Sequence, residues 1–173
     1  THYDLKLNNL LLPEDWEKIS ADGTNAIPLK LIDWERSCWG DPSFDLGMLV
    51  GSYLNYWLSS LVVSQSIAIE EALKMAMTPL EKVRPSLSAL ISTYLNNFPE
   101  ILDRRPDFLK RVVQFAGLAL IQVIQANLQY QKSFNNSGIC MLQVAKTLLC
   151  RPDTAIQTVF GLNETQLKQT VLA

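Results

Sequence analysis

Apolar residues follow one pattern in the first part of this chain and another in the rest. In the first part, two short apolar runs, Leu10–Leu12 and Ile27–Ile32, are separated by polar sequence. The Asp22-Gly23 pair between them is a strong turn signal. We therefore predict a β-hairpin over residues 10–33.

Further along, from Pro42 onward, apolar residues recur at helical spacing. The longest helix is predicted from about Asp107 to Tyr130, and its apolar stripe would be the hydrophobic spine of the domain. The stripe consists of Phe108, Val112, Phe115, Ala119, Val123, Ala126 and Tyr130. Further helices are predicted over 70–74, from a Thr78-x-x-Glu81 capping box to Asn97 with a kink or restart at Pro85, over 139–149, and after an Asn163-x-x-Gln166 cap.

The run Leu46–Ser64 contains no charged residue, and its length is close to the roughly 20 residues that a membrane-spanning helix needs. Glycine, serine and asparagine residues interrupt the run. We therefore interpret it as a buried helix of a globular domain, with a membrane span as the alternative.

Length and composition agree with one folded domain. The chain has 173 residues, of which 48% are hydrophobic and 18% charged, and this balance argues against disorder. A formal net charge of -2 gives no electrostatic reason to expect nucleic acid as a partner, since nucleic-acid binding normally requires a basic face. The cysteines, Cys38, Cys140 and Cys150, are too few and too far apart for a disulfide framework or a zinc cluster. A cytoplasmic location is the simplest interpretation.

One polar cluster has the spacing of a kinase catalytic loop, His2-x-Asp4-x-x-x-x-Asn9. In such a loop the aspartate orients the proton of an attacking hydroxyl, and the asparagine binds magnesium. Asp33, at the end of the second apolar run, would supply another oxygen ligand, and Mg²⁺ prefers oxygen. The alternative for Asp33 is a cap of the next segment. The predicted hairpin would bring Asn9 and Asp33 to neighbouring strand ends.

The residues around this cluster have less specific assignments. His2 is the only histidine, and we interpret it as a structural residue that packs beneath the loop. A Ser-His-Asp hydrolase would have to use it, but the sequence has no G-x-S-x-G motif. Lys6 is either solvated or in contact with the transferred phosphate.

Asp41 and Asp45 are interpreted as carboxylates at the start of a helix, where they accept backbone N–H bonds. We expect tryptophans to lie in the core, with Trp34 as the exception that could join Glu35 at the rim of an acceptor pocket. Plain surface is the alternative for Glu35. The tryptophans expected in the core are Trp39 and Trp57.

Three motifs together resemble the C-terminal lobe of the aminoglycoside phosphotransferase and choline kinase-like family, which shares the protein-kinase fold. The motifs are His2-x-Asp4-x-x-x-x-Asn9, Leu31-Ile32-Asp33-Trp34-Glu35 and Gly40-Asp41-Pro42-x-x-Asp45-Leu46. The resemblance implies a mainly α lobe with a small β-hairpin over residues 1–173. Residues 1–47 would hold the catalytic loop, the metal-binding hairpin and a helix start, and residues 48–173 a helical subdomain.

The same resemblance implies transfer of the γ-phosphate of ATP, with Mg²⁺, to a hydroxyl of a small molecule. Asp4 would be the catalytic aspartate, Asn9 and Asp33 the magnesium ligands, and Asp45 a brace for the loop. Tyr3 stands where the family commonly has glycine. The acceptor is left open among aminoglycosides, choline-like amines, sugars and a peptide serine or threonine.

The N-lobe of the kinase fold has no counterpart here, because neither a glycine-rich loop nor a strand lysine precedes the first motif. We therefore expect residues 1–173 alone to bind ATP weakly and to turn over little or not at all. We expect neither nucleic acid nor a membrane as a partner. The alternative function is a non-catalytic binding or scaffolding module with a kinase-like lobe.

Overall fold

The computed structural model describes residues 1–21, 29–61, 69–132, 134–163 and 165–167. This part of the chain is mostly helical and has one two-stranded antiparallel sheet, as predicted. The strands are β1 (Leu10–Leu11) and β2 (Lys30–Leu31). The helices are α1 (Trp16–Ala21), α2 (Pro42–Ser59), α3 (Ile69–Lys74), α4 (Leu80–Asn97), α5 (Ile101–Arg104), α6 (Phe108–Gln131), α7 (Asn136–Cys150) and α8 (Pro152–Phe160).

The hairpin is shorter than predicted. Leu10 pairs with Leu31 and Leu11 with Lys30, whereas Leu12 lies outside the strand. Pro13 follows Leu12 and has no N–H to continue a ladder. The connection contains α1, which was not predicted, and the Asp22-Gly23 turn signal lies outside the described residues.

The core is built on the contact between α2 and α6, with α4, α7 and α8 packed around this pair. Two glycines of α2 allow a close approach. A Cβ at Gly51 would lie 2.5 Å from the Cβ of Ala119, and one at Gly47 would overlap Phe115. The uncharged run that starts at Leu46 is therefore a buried helix as far as Ser59, because α6 covers it.

Among the described residues, one helix is long and apolar enough to cross a membrane by length and composition, and it is Phe108–Tyr130 in α6. This helix packs against α2, α7 and α8, as a core helix does. The stripe predicted on it is only partly buried, since Tyr130 is exposed. Val113, Leu120 and Ile124 lie outside the predicted stripe and are buried, because helices cover α6 on more than one side.

Helix ends differ from prediction in α4 and α8. The helix α4 begins at Leu80 with Pro79 as its N-cap and no capping side chain, so the predicted Thr78 capping box is wrong. Pro85 lies inside one helix rather than restarting it. The prediction missed α8, where Pro152 both follows the end of α7 and occupies the first helical turn, a position that tolerates proline.

The predicted cap at the last helix is confirmed. Asn163 N–H donates to Gln166 Oε1 at 2.9 Å, and Gln166 N–H donates to Asn163 Oδ1 at 2.8 Å. These reciprocal bonds are those of a capping box. They start a helical turn in which Leu167 is buried against the core.

Candidate functional site

Asn9 ends a short 3₁₀ turn, Leu7–Asn9, that leads directly into β1. Its side chain is buried, with 3% of its surface exposed. Asn9 Nδ2 donates to the backbone oxygen of Asp4 at 2.9 Å and to Asp4 Oδ2 at 3.4 Å. Because both bonds use the NH₂ group, they fix the orientation of the amide and leave Asn9 Oδ1 as an oxygen ligand for a cation.

His2 supports the loop from below. Its ring is buried, Nε2 lies 2.7 Å from the backbone oxygen of Ile32, and Asp4 N–H donates to Nδ1 at 3.3 Å. Because Nδ1 accepts the bond from Asp4, Nε2 is the ring nitrogen that donates to Ile32. Since both ring nitrogens are engaged, His2 positions Asp4 against the end of β2.

Asp45 holds the first residues of the loop from the first turn of α2. Its Oδ2 accepts a bond from His2 N–H at 2.6 Å, and its Oδ1 accepts one from Tyr3 N–H at 2.8 Å. The carboxylate therefore bonds to the catalytic loop, and the prediction that it accepts the amides at the start of α2 is corrected. Asp41 has that role, since Ser43 N–H donates to Asp41 Oδ1 at 3.0 Å.

Asp33 lies just beyond β2, where the backbone turns left-handed with a φ of 66°. Its exposed side chain makes no capping hydrogen bond, so the alternative of a helix cap is wrong. Ile32 N–H donates to the backbone oxygen of Asn9 at 3.0 Å, which extends the pairing of the strands beyond β1 and β2. The residues Asn9 and Asp33 are therefore at neighbouring strand ends, as predicted.

Lys6 forms an ion pair with Asp4, with Nζ 2.8 Å from Oδ2. Asp4 Oδ2 thus faces both the lysine and the Asn9 amide, and Asp4 Oδ1 is the oxygen left for a ligand. No cluster of three or more His, Cys, Asp or Glu side chains occurs in the described part of the chain. Asn9 and Asp33 would not count as such a cluster, because they are only two residues and one is an amide. The pair nevertheless suits Mg²⁺, whose remaining ligands are commonly phosphate and water oxygens.

A cleft of about 470 Å³ opens beside the loop, between α2 and α6. Asp4 and Lys6 are at one end of its wall, and most other polar groups come from uncharged side chains. The sequence analysis did not identify the uncharged polar residues of this lining. Four of them recur at helical spacing within the uncharged run, namely Ser52, Asn55, Tyr56 and Ser59. Its lining comprises Asp4, Lys6, Leu7, Asn8, Met48, Gly51, Ser52, Asn55, Tyr56, Ser59, Ala119, Gln122, Val123 and Ala126.

Residues 1–84 match the phosphotransferase enzyme family, APH. The match confirms the resemblance to aminoglycoside phosphotransferase-like proteins, and it supports a kinase-type enzyme at the level of the family. It spans the catalytic loop, the hairpin and α2, and so includes Asp4, Asn9 and Asp33. No curated protein matches the chain.

The loop that carries Asp4 has a tyrosine, Tyr3, where the resemblance leads us to expect glycine. Tyr3 has a φ of 69°, in the left-handed region that glycine enters without strain. Its ring stacks on Phe44, with centroids 4.5 Å apart, and Phe44 in turn meets Phe115 edge to face at 5.1 Å. The stack and the two bonds to Asp45 hold the strained residue in place.

Trp34 and Glu35, the predicted rim of the acceptor pocket, are exposed and do not line this cleft. The Trp34 ring lies 4.7 Å from the His2 ring, and its Nε1–H donates to the backbone oxygen of Leu31 at 2.8 Å. Trp34 therefore covers the histidine. Of the tryptophans expected in the core, Trp57 is buried, but Trp39 is fully exposed because it lies in the loop before α2.

Asp41 connects the start of α2 to α6. Arg111 donates through Nε to Asp41 Oδ2 at 2.7 Å, and Arg105 Nη1 lies 3.4 Å from the same oxygen. Burial raises the pKa of Asp41, but the bonds from Ser43 and Arg111 outweigh this effect and hold the pKa below its ordinary value. The carboxylate is therefore ionised at neutral pH and fixes the helix that carries Asp45.

Proposed function

We propose that this chain is the acceptor-binding part of an ATP-dependent phosphotransferase that transfers the γ-phosphate to a hydroxyl of a small molecule. The main support is one arrangement. Asp4 lines the cleft between α2 and α6, while Asn9 and Asp33 end two paired strands beside it. This arrangement combines a base, two oxygen ligands and space for an acceptor.

Asp4 is the proposed catalytic base. Its Oδ2 is held by Lys6 and Asn9, so Oδ1 accepts a hydrogen bond from the acceptor hydroxyl and orients the attacking oxygen. A positioned general base contributes about 10²- to 10⁴-fold to the rate. Most of the remaining acceleration in phosphoryl transfer comes from positioning and neutralisation of charge.

Asn9 and Asp33 are the proposed magnesium ligands. The amide of Asn9 has its NH₂ group committed to Asp4, and the Asp33 carboxylate is exposed at the strand end, so both present oxygen. Bound Mg²⁺ would neutralise the charge of the transferred phosphate. Lys6 is proposed as a second positive charge for that phosphate, because its flexible stem lets Nζ turn from Asp4 to a neighbouring anion.

A second lobe is proposed to cover the hairpin and supply the rest of the nucleotide site. Among the described residues, the apolar side chains that are fully buried begin at Leu46. The residues before it carry large apolar side chains on the surface, and a concentration of this kind marks an interaction surface. These exposed side chains are Tyr3, Leu11, Leu12, Trp16, Leu29, Trp34 and Trp39.

We also propose that the enzyme acts in the cytoplasm, without nucleic acid or membrane partners. Its three cysteines are free, which suits a reducing compartment. Its net charge of -2 provides no attraction for polyanions.

The proposal is tested with the full-length gene product, labelled ATP and a panel of hydroxyl compounds. The panel includes aminoglycosides, choline-like amines, neutral sugars and alcohols, and serine peptides. We expect magnesium-dependent labelling of a small molecule. If acceptors bind but none is labelled with any metal, the protein is instead a non-catalytic binding module.

A further inference from the structure

The lining of the cleft beside Asp4 limits the charge of the acceptor, an inference that rests on the proposed function. Asp4 and Lys6 are the charged members among the described lining residues, and they pair with each other at 2.8 Å. The sequence between Asp45 and Glu70, which includes all of α2 after its first turn, contains no charged residue. Among the described lining residues, the cleft therefore offers a cation no carboxylate other than Asp4, which pairs with Lys6 when no phosphate is bound.

The polar groups of the cleft suit neutral hydroxyls. Ser52 Oγ donates to the backbone oxygen of Met48, and Ser59 Oγ donates to Asn55 Oδ1, both at 3.2 Å. The two serine oxygens therefore serve a ligand as acceptors. The amide NH₂ groups of Asn55 and Gln122 have no side-chain hydrogen bond within the described part of the chain, and they serve as donors.

The remaining wall is apolar and comes from both helices. Met48 and the backbone of Gly51 lie on α2, and Ala119, Val123 and Ala126 lie on α6. An acceptor that fills about 470 Å³ beside these residues needs an apolar part as well as hydroxyls. Tyr56 is the aromatic side chain among the described lining residues, whereas cages for quaternary ammonium groups surround the cation with several rings.

From this lining we propose that the acceptor is an uncharged alcohol with an apolar part, rather than a polycation or a quaternary amine. A cation in the cleft would lose hydration and would meet, among the described lining residues, only the Asp4 carboxylate that Lys6 already pairs with. Asn55 and Gln122 are then specificity-determining residues, since their amides are uncharged donors in the lining of the cleft.

The test compares ligands that differ in charge alone, choline and 3,3-dimethyl-1-butanol, which have the same shape. Binding to the full-length gene product is measured by ligand-observed NMR without ATP, and transfer is measured separately with labelled ATP. We expect the neutral member of the pair to bind more tightly, by about threefold or more. Equal affinity, tighter binding of choline, or no binding of either ligand would overturn the proposal.

A carboxylate placed in the cleft should reverse the preference. Gln122→Glu should shift the ratio of the two affinities toward choline by about two- to fivefold, the size expected for a partly exposed ion pair. Gln125→Glu is the matched control, because this exposed residue lies on the same helix outside the lining. An equal shift in both variants would contradict the assignment of Gln122.

The two measurements separate this inference from the proposed function. Preferential binding of the neutral ligand without transfer of phosphate to any acceptor would retain the inference about the cleft and reject the phosphotransferase. Transfer to choline in preference to its neutral counterpart would retain the enzyme and reject the uncharged acceptor.

Discussion

At the scale of single residues, Tyr3 and Asp45 set the conformation of the loop that carries Asp4. The carboxylate of Asp45 accepts the amides of His2 and Tyr3, and these bonds hold Tyr3 in a left-handed conformation. This conformation costs a residue with a Cβ about 1–2 kcal/mol. The stack on Phe44 offsets part of that cost. The loop that carries Asp4 is therefore held by its surroundings rather than by local preference.

Replacing Tyr3 tests this account. We expect Tyr3→Gly to be more stable than Tyr3→Ala by about 1 kcal/mol, because both lose the stack but glycine also loses the strain. Urea unfolding of the two variants measures the difference. In helices and strands, alanine is ordinarily more stable than glycine. A more stable alanine variant would therefore show that residue 3 is not in the left-handed conformation.

The spacing of Asp4 and Asn9 was readable from the sequence because Asn9 follows Asp4 by five positions in one loop. The tautomer of His2 and the bonds of Asp45 were not readable, since they depend on partners about 30 and 43 residues away. The residues of α2 that line the cleft were missed for a similar reason. A serine or asparagine in an uncharged helix acquires its role only when α6 supplies the opposite wall of the cleft.

At the scale of elements, α2 joins the catalytic loop to the core. Asp41 caps this helix and binds Arg111 of α6, Asp45 binds the loop one turn later, and Gly47 lets α6 approach. Any shift of α2 would therefore move the amides that position Asp4. Asp41, Asp45 and Gly47 therefore act together, within about two turns of one helix.

Stability should depend on pH through Asp41. Its pKa is lower in the folded chain than the ordinary value of 3.8, so its contribution is present above that pH and is lost as the pH falls through the folded pKa. Asp41→Asn keeps an N-cap side chain but removes the charge. We expect the variant to be less stable at pH 7 by about 1 kcal/mol and this deficit to shrink below about pH 4.

The control for this measurement is Asp103→Asn, since Asp103 is exposed on α5. We expect this control variant to change the free energy of unfolding little at pH 7 and at pH 3. A deficit for Asp41→Asn that stays constant from pH 7 to pH 3 would exclude an ionic contribution from Asp41.

Helices with a strong periodicity of apolar residues, or with a local capping motif, were predictable. Features that depend on tertiary packing were not. The helix α6 was predicted nearly to its ends, and the Asn163 cap was predicted from local chemistry. The sequence left open whether α4 kinks or restarts at Pro85. It does not restart, because Val83, Leu87 and Ile91 are buried on one face and hold the helix across the proline. Tertiary packing overrode local propensity there.

At the scale of the whole molecule, burial divides the described chain into two parts. The helical part has a continuous apolar core, whereas the hairpin part exposes its apolar side chains. The helical part builds the cleft that we propose binds the acceptor, and the hairpin part carries the proposed magnesium ligands on a surface that we propose a second lobe covers. The catalytic site would thus form where the two lobes meet.

Residues 1–173 alone should therefore bind ATP weakly and turn over little, because the proposed second lobe would supply the rest of the nucleotide site. We expect the affinity for ATP and the rate of transfer to rise when the same residues are measured within the full-length gene product. Equilibrium dialysis with labelled ATP and a transfer assay compare the two proteins. Full activity of residues 1–173 alone would remove the need for a second lobe.

The most direct test of the catalytic assignment is the rate of phosphoryl transfer by Asp4→Asn in the full-length gene product, with Mg²⁺ and the best acceptor from the panel. Asparagine keeps the shape of the side chain but cannot accept the proton of the hydroxyl. We expect kcat to fall by about 10²- to 10⁴-fold with little change in thermal stability. An unchanged kcat would contradict the assignment of Asp4 as the catalytic base.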